Sequence, residues 1–136
     1  MPTDRTVNQT VFQHLLDHFW QAVDNKYPRD FDQAPKGYLI SYSKLIDISG
    51  VPLNPRNAGG PLFAIAGYCD SKSWPPIHAL VVTKEGGYPG EGFFRAPGTD
   101  HSHLSFEKAF SAWQSNVTDC IEQGPAKFPR SAPTIS

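Results

Sequence analysis

Two glycines, Gly59 and Gly60, stand near the predicted start of a helix, where they cost helix propensity and so need another reason to be there. Gly59 and Gly60 would let another backbone, of protein or nucleic acid, approach closely. A second group surrounds GGYPGEGFF, residues 86–94, which holds more glycine than a plain hairpin needs. Lys84 and Arg95 flank it. Together with Arg56, Trp74, His78, Tyr88, Gly90 and Glu91, this loop can be drawn as a pocket for a nucleotide or another phosphorylated small molecule. It lacks the Lys-Ser/Thr of a P-loop and does not fit the dinucleotide fingerprint.

Other reactive side chains are harder to assemble. His14 and His18 lie four apart with Asp17 between them, a metal-pair spacing without the zincin glutamate or an assignable third ligand. His101 and His103 fall in a polar loop and read as solvated. Glu91 and Glu107 have no partner for acid–base work, and no nucleophile elbow or catalytic triad is present. Cys69 and Cys120 form no metal-ligand pattern and are expected to stay reduced, as in a cytoplasm. Cys69 falls on an apolar helix face, where cysteines are inert. No metal and no cofactor are expected.

The 136 residues suit one domain with a real core, and 39% hydrophobic content argues against disorder. The formal net charge of -1 means that any phosphate binding needs a local basic face. Lys44, Arg56, Lys72, Lys84 and Arg95 all fall in the central segment. No apolar run long enough to span a membrane occurs, and MPTDRTVNQT has no apolar signal region, so a cytoplasmic location is expected.

The elements that must position these residues follow from periodicity and punctuation. Val11, Phe12, Leu15, Leu16, Phe19, Trp20 and Val23 predict an amphipathic helix over 8–23, with Thr6 and Gln9 as its capping box. Ser41 predicts an N-cap, and Tyr42, Leu45, Ile46 and Ile48 give a two-turn helix that Gly50 ends. A further helix is predicted over 57–70, a strand over 77–83, a turn over 84–87, and a weak returning strand over 88–94. Ser105 predicts the cap of a last helix with Phe106, Phe110, Trp113, Val117 and Ile121 inward. The globular domain is expected over 1–123, with a loosely ordered tail over 124–136.

The middle of the chain, 41–95, reads as a winged helix, and from Tyr42 it resembles the C-terminal domain of alkylguanine-DNA alkyltransferases and the alkyltransferase-like proteins. Tyr42, Gly50, Pro52, Arg56 and Gly59 match that family's spacing of a tyrosine, a Gly-x-Pro turn and an arginine opening the recognition helix. Pro76-Ile77-His78-Ala79-Leu80-Val81-Val82 falls where its Pro-Cys-His-Arg-Val-Val strand stands, and Gly86 and Gly87 where its wing stands. The resemblance implies that Arg56 fills the gap left by an extruded base and that Tyr42 helps to rotate the nucleotide out. It also implies that the amides of Asn57, Ala58 and Gly59 meet a phosphate, with Lys84 on the backbone. Ile77 replaces the alkyl-accepting cysteine and Ala79 the strand arginine. Alkyl transfer at Ile77 is therefore excluded.

The expectation is an α+β protein built on a winged-helix-like core with packed N- and C-terminal helices. It would bind double-stranded DNA without being an enzyme and recognise an altered or extruded base. The rivals are the small-ligand pocket described above and an interaction protein whose apolar first helix dimerises. Oligomeric state is not legible in the sequence.

Overall fold

The computed structural model describes residues 4–25, 37–52, 59–83, 89–100 and 103–135. Helix α1 spans Asp4–Asp24, four residues earlier than the periodicity predicts. Thr6 therefore lies inside the helix and accepts a hydrogen bond from the Thr10 hydroxyl at 2.9 Å, rather than capping it. The apolar stripe is fully used: Val11, Phe12, Leu15, Leu16 and Phe19 are each 0% exposed. α1 packs against both helices that follow, α2 over Tyr42–Ser49 and α3 over Gly59–Ser71. Its apolar face is thus covered within one chain.

α2 obeys its punctuation. The Ser41 hydroxyl accepts from the Lys44 amide at 3.2 Å. Gly50 adopts the left-handed conformation (φ 66°) and returns its N–H to Ile46 and Asp47. Only glycine takes that conformation at little steric cost. α3 buries Leu62, Ile65, Ala66 and Cys69. It closes with the Ser73 N–H on Asp70 and the Trp74 N–H on Cys69, a Schellman arrangement with serine at the left-handed position (φ 56°).

The predicted strand over 77–83 is mostly not a strand. Ile77–Leu80 forms a 3-10 helix, and only Val81–Val82 is extended, as β2. Helix α4, Phe106–Lys127, supplies the reason. Trp113 Nε1 donates to the Ala79 carbonyl at 2.8 Å, and the Cys120 thiol donates to the Pro76 carbonyl at 3.3 Å. These buried carbonyls are satisfied by side chains, so no neighbouring strand is required. β2 pairs in parallel with β1, Ile40–Ser41, in the register Ile40 to Val81 and Ser41 to Val82. The returning strand predicted over 88–94 is also corrected: Glu91–Arg95 is a second 3-10 helix. The turn at 84–87 lies outside the described residues.

The described residues thus form an α+β structure of four α-helices, two 3-10 helices and a two-stranded parallel sheet. Trp113, Val117 and Ile121 of α4 are buried as the stripe predicts, and Cys120 with them, whereas Phe110 is half-buried and Phe106, at the first turn, is 70% exposed.

The tail packs against the core. α4 runs through Pro125 to Lys127, and Phe128 is buried against Phe19 and Trp74, ring centroids 5.1 Å and 6.2 Å away. Residues 129–135 then form a strap along α1, ending with the buried Ile135. The strap takes its hydrogen bonds from side chains of α1, so it needs no secondary structure of its own.

Candidate functional site

The start of α2 and the glycine-rich segment meet at Tyr42. Its hydroxyl accepts from the Gly90 amide at 3.2 Å, and burial pushes its pKa up. This contact ties the N-terminus of α2 to the second 3-10 helix. It holds Tyr42 in a fixed, half-buried position, as a packing residue requires, while its backbone stands at the first turn of the helix.

α3 has two unlike faces. One is buried against α1. The other carries Gly60 and Gly67, where a side chain would meet nothing within 4 Å, and Phe63, which is 53% exposed. Gly60, Phe63 and Gly67 are spaced three and four apart, so they share one line along the helix. The open face is built from small residues and one aromatic ring, continued by the exposed Asp70 three residues after Gly67, without a basic side chain. Lys72 lies just past its end, 5.6 Å from the centre of the Tyr68 ring. Lys44, on α2, is exposed. Gly59 is the first residue of α3. Arg56, Asn57, Ala58, Lys84 and Tyr88 lie outside the described residues.

His78, one of the residues drawn into the second predicted pocket, lies in the interior. That side chain is 2% exposed, with its ring 5.1 Å from Phe93. Its Nε2 lies 2.8 Å from the Thr99 hydroxyl, which itself donates to the Phe93 carbonyl at 2.7 Å. Because the hydroxyl proton is committed to Phe93, Nε2 must be the donor. Nδ1 is then a bare lone pair, buried without a partner. Complete burial drives the pKa of His78 down to about 3, so the ring is neutral near pH 7. His78 closes a structural network. Trp74 packs edge-on against Tyr68 and Phe128 as part of an aromatic cluster. Gly90 meets Tyr42, and Arg95 is exposed at the end of the second 3-10 helix. Of Glu91, the backbone alone is described. The described side chains of that set are therefore divided between the core, an aromatic cluster and the surface.

The nucleophile candidates are quiet. Ile77, at the acceptor position, is 0% exposed. Burial pushes the Cys69 thiol up to about 11 and the Cys120 thiol well above its ordinary range. Thiols held protonated in the interior are poor nucleophiles. His18 donates from Nε2 to the Tyr38 carbonyl at 3.0 Å, and burial lowers its pKa. Among the described residues, no three His, Cys, Asp or Glu side chains lie together to hold a metal ion. None of the described helices is long and apolar enough to cross a membrane.

Sequence reasoning missed Thr99, whose hydroxyl fixes the His78 tautomer, and Gln9 and Gln13, which hold the strap. A threonine in a loop and two glutamines on the polar side of a helix carry no local signal. Their roles arise from partners 6 to more than 100 residues away. No protein-family model, curated protein or solved structure matches this chain.

Proposed function

We propose that this chain is a non-enzymatic DNA-binding protein of winged-helix, alkyltransferase-like type that recognises an altered or extruded base. The observation that carries this reading is the open face of α3, whose opposite face is anchored on α1. A helix held from behind, with glycines at two points of its outer face, can lie close to a duplex backbone. Among the described residues the order α1, β1, α2, α3, β2, with a 3-10 helix before β2, follows the helix–strand–helix–helix–strand order of a winged helix, although the β1–β2 pair is parallel and a 3-10 helix stands where the returning wing strand would be. In this reading Arg56 fills the space of the displaced base, and the amides of Asn57, Ala58 and Gly59 hold a phosphate. Tyr42 braces the neighbouring nucleotide, and Lys84 meets the backbone. Ile77 in the interior leaves no acceptor for an alkyl group, so the protein binds without transferring one.

The net charge of -1 limits the number of phosphates engaged. Affinity should therefore fall only weakly with salt, because few counterions are released. The test is fluorescence anisotropy of a labelled duplex, plain and with one alkylated guanine, at two salt concentrations. Tighter binding to the alkylated duplex is expected. Arg56→Ala should weaken it, and so should Gly67→Glu, which sets a carboxylate on the open face where nothing obstructs it. Neither change should lower the melting temperature much. Failure of both duplexes to bind at low salt would end this reading.

A further inference from the structure

One line of α1 side chains is devoted to the strap. Positions 9, 13, 20 and 24 are separated by four, seven and four residues, close to whole turns of the helix. Gln9 uses both ends of its amide: Oε1 accepts from the Ile135 N–H at 2.9 Å, and Nε2 donates to the carbonyls of Pro133 and Ala132 at 2.7 and 3.2 Å. Gln13 does the same one turn on, accepting from the Ala132 N–H at 2.7 Å and donating to the Arg130 carbonyl at 3.0 Å. Trp20 Nε1 donates to the Pro129 carbonyl at 2.9 Å. The Arg130 guanidinium lies 4.2 Å from the centre of the Trp20 ring and makes two 3.0 Å bonds to the Asp24 carboxylate.

The match between the two partners is detailed. Pro129 and Pro133 have no N–H, so they place no demand on α1, while the amides of Ala132 and Ile135 each find a glutamine oxygen. Arg130 is read by a ring face and a carboxylate together, and Ile135 is buried at 3% exposure. The run from Trp20 back to Gln9 covers about 16 Å of helix. The segment 129–135 spans about 19 Å if extended, so it lies along α1 almost at full stretch and antiparallel to it. A cavity of about 320 Å³ against Thr6, Gln9, Thr10 and Thr134 leaves room beside the strap. The Arg130–Asp24 pair is exposed, and exposed pairs hold weakly.

We propose that this face of α1 is a recognition site for an extended peptide of the pattern Pro-Arg-x-Ala-Pro-x-Ile on a partner protein, and that the chain's own strap occupies it in cis. Proline suits such a ligand because it pre-extends the chain and removes donors that α1 does not answer. The glutamine pair supplies backbone contacts, while the Trp20–Asp24 clamp and the seat of Ile135 supply selectivity. A tethered strap competes at an effective concentration in the millimolar range. A partner therefore gains access when the cis segment is weakened or the partner is locally abundant.

The test uses the full chain and a fluorescein-labelled synthetic peptide, Phe-Pro-Arg-Ser-Ala-Pro-Thr-Ile, read by anisotropy. Arg130→Glu with Ile135→Asp loosens the cis strap without touching α1, and Trp20 emission reports its release. The loosened protein should bind the peptide at least tenfold more tightly than the wild type. Adding Gln9→Ala and Gln13→Ala should remove that gain, as should replacing the peptide's arginine by glutamate, a change that leaves the protein untouched. Equal binding by wild type and loosened protein would overturn the proposal. So would binding that ignores the glutamines or the peptide's arginine, or a strap that stays docked in the loosened protein.

Discussion

His78 shows how a residue that looks catalytic in sequence becomes structural in the fold. Its Nε2–H is held by Thr99, its Nδ1 has no partner, and burial keeps it neutral. The sign of the resulting pH effect follows from linkage. The unfolded chain takes up a proton near the ordinary histidine value of 6.5, while the folded protein does so only at about 3. Acid therefore favours the unfolded state throughout that window, and stability should decline by at most about 1.4 kcal/mol per pH unit from this group. Denaturant titrations between pH 7 and 4 should show that slope in the wild type and a shallower one in His78→Asn. Some slope should remain, because His18 is also shifted down by burial. Thr99→Val would strand the Nε2–H, while the Phe93 carbonyl keeps its bond from the Ala96 N–H, so a loss of about 1–3 kcal/mol is expected at neutral pH. A flat pH profile in the wild type would mean that His78 is solvated in a way its surroundings do not suggest.

The ends of the helices carry testable chemistry of their own. Ser73 holds the left-handed position that ends α3, where a side chain is strained by about 1 kcal/mol and glycine is not. Ser73→Gly should accordingly raise the melting temperature by a few degrees, as followed by circular dichroism. Gly124 presents the opposite case. A Cβ there would meet Phe19 Cζ at 2.5 Å and the Phe128 ring at 2.9 Å. Alanine would improve helix propensity by about 1 kcal/mol, yet the clash with two buried rings should outweigh it, giving a net loss of about 1–3 kcal/mol. These elements also mark what was legible. α1 announced itself through its period, and α2 and α4 through period and caps, since those signals are local. The β-branched run at 77–83 misled because the carbonyls of Pro76 and Ala79 are satisfied by Cys120 and Trp113, more than 30 residues away. Phe106 fell on the predicted stripe of α4, but it lies at the first turn, beyond the reach of the core. Of the candidate site, the Tyr42 helix start and the opening of α3 were readable. The Tyr42–Gly90 bond, which spans 48 residues, was not.

At the scale of the whole molecule, the segment after Gly124 decides how the fold is closed. Proline content and position suggested a loose tail, yet Phe128 completes an aromatic cluster with Phe19, Trp74 and Tyr68, and the strap covers one side of α1. Two layers of contact are separable by their chemistry. Phe128 contributes apolar burial shared with Phe19 of α1, Trp74 after α3 and Gly124 of α4. Residues 129–135 contribute mainly side-chain-to-backbone hydrogen bonds, an exposed ion pair and one buried isoleucine. Truncation after Phe128 should therefore cost about 2–4 kcal/mol, from Ile135 and the net value of its hydrogen bonds, and leave a cooperative transition. Phe128→Ala in the full chain should cost about 3–5 kcal/mol, because a cavity opens where Phe19 and Trp74 converge. The two losses should also differ in coupling. Trp20 emission should shift on removal of the strap, since Pro129 and Arg130 both contact that ring system. It should shift in Phe128→Ala only to the extent that the strap loosens. If truncation after Phe128 proved as damaging as Phe128→Ala, the strap would be part of the folding core itself, and its exchange for a partner's peptide would be too slow and too costly to serve as recognition.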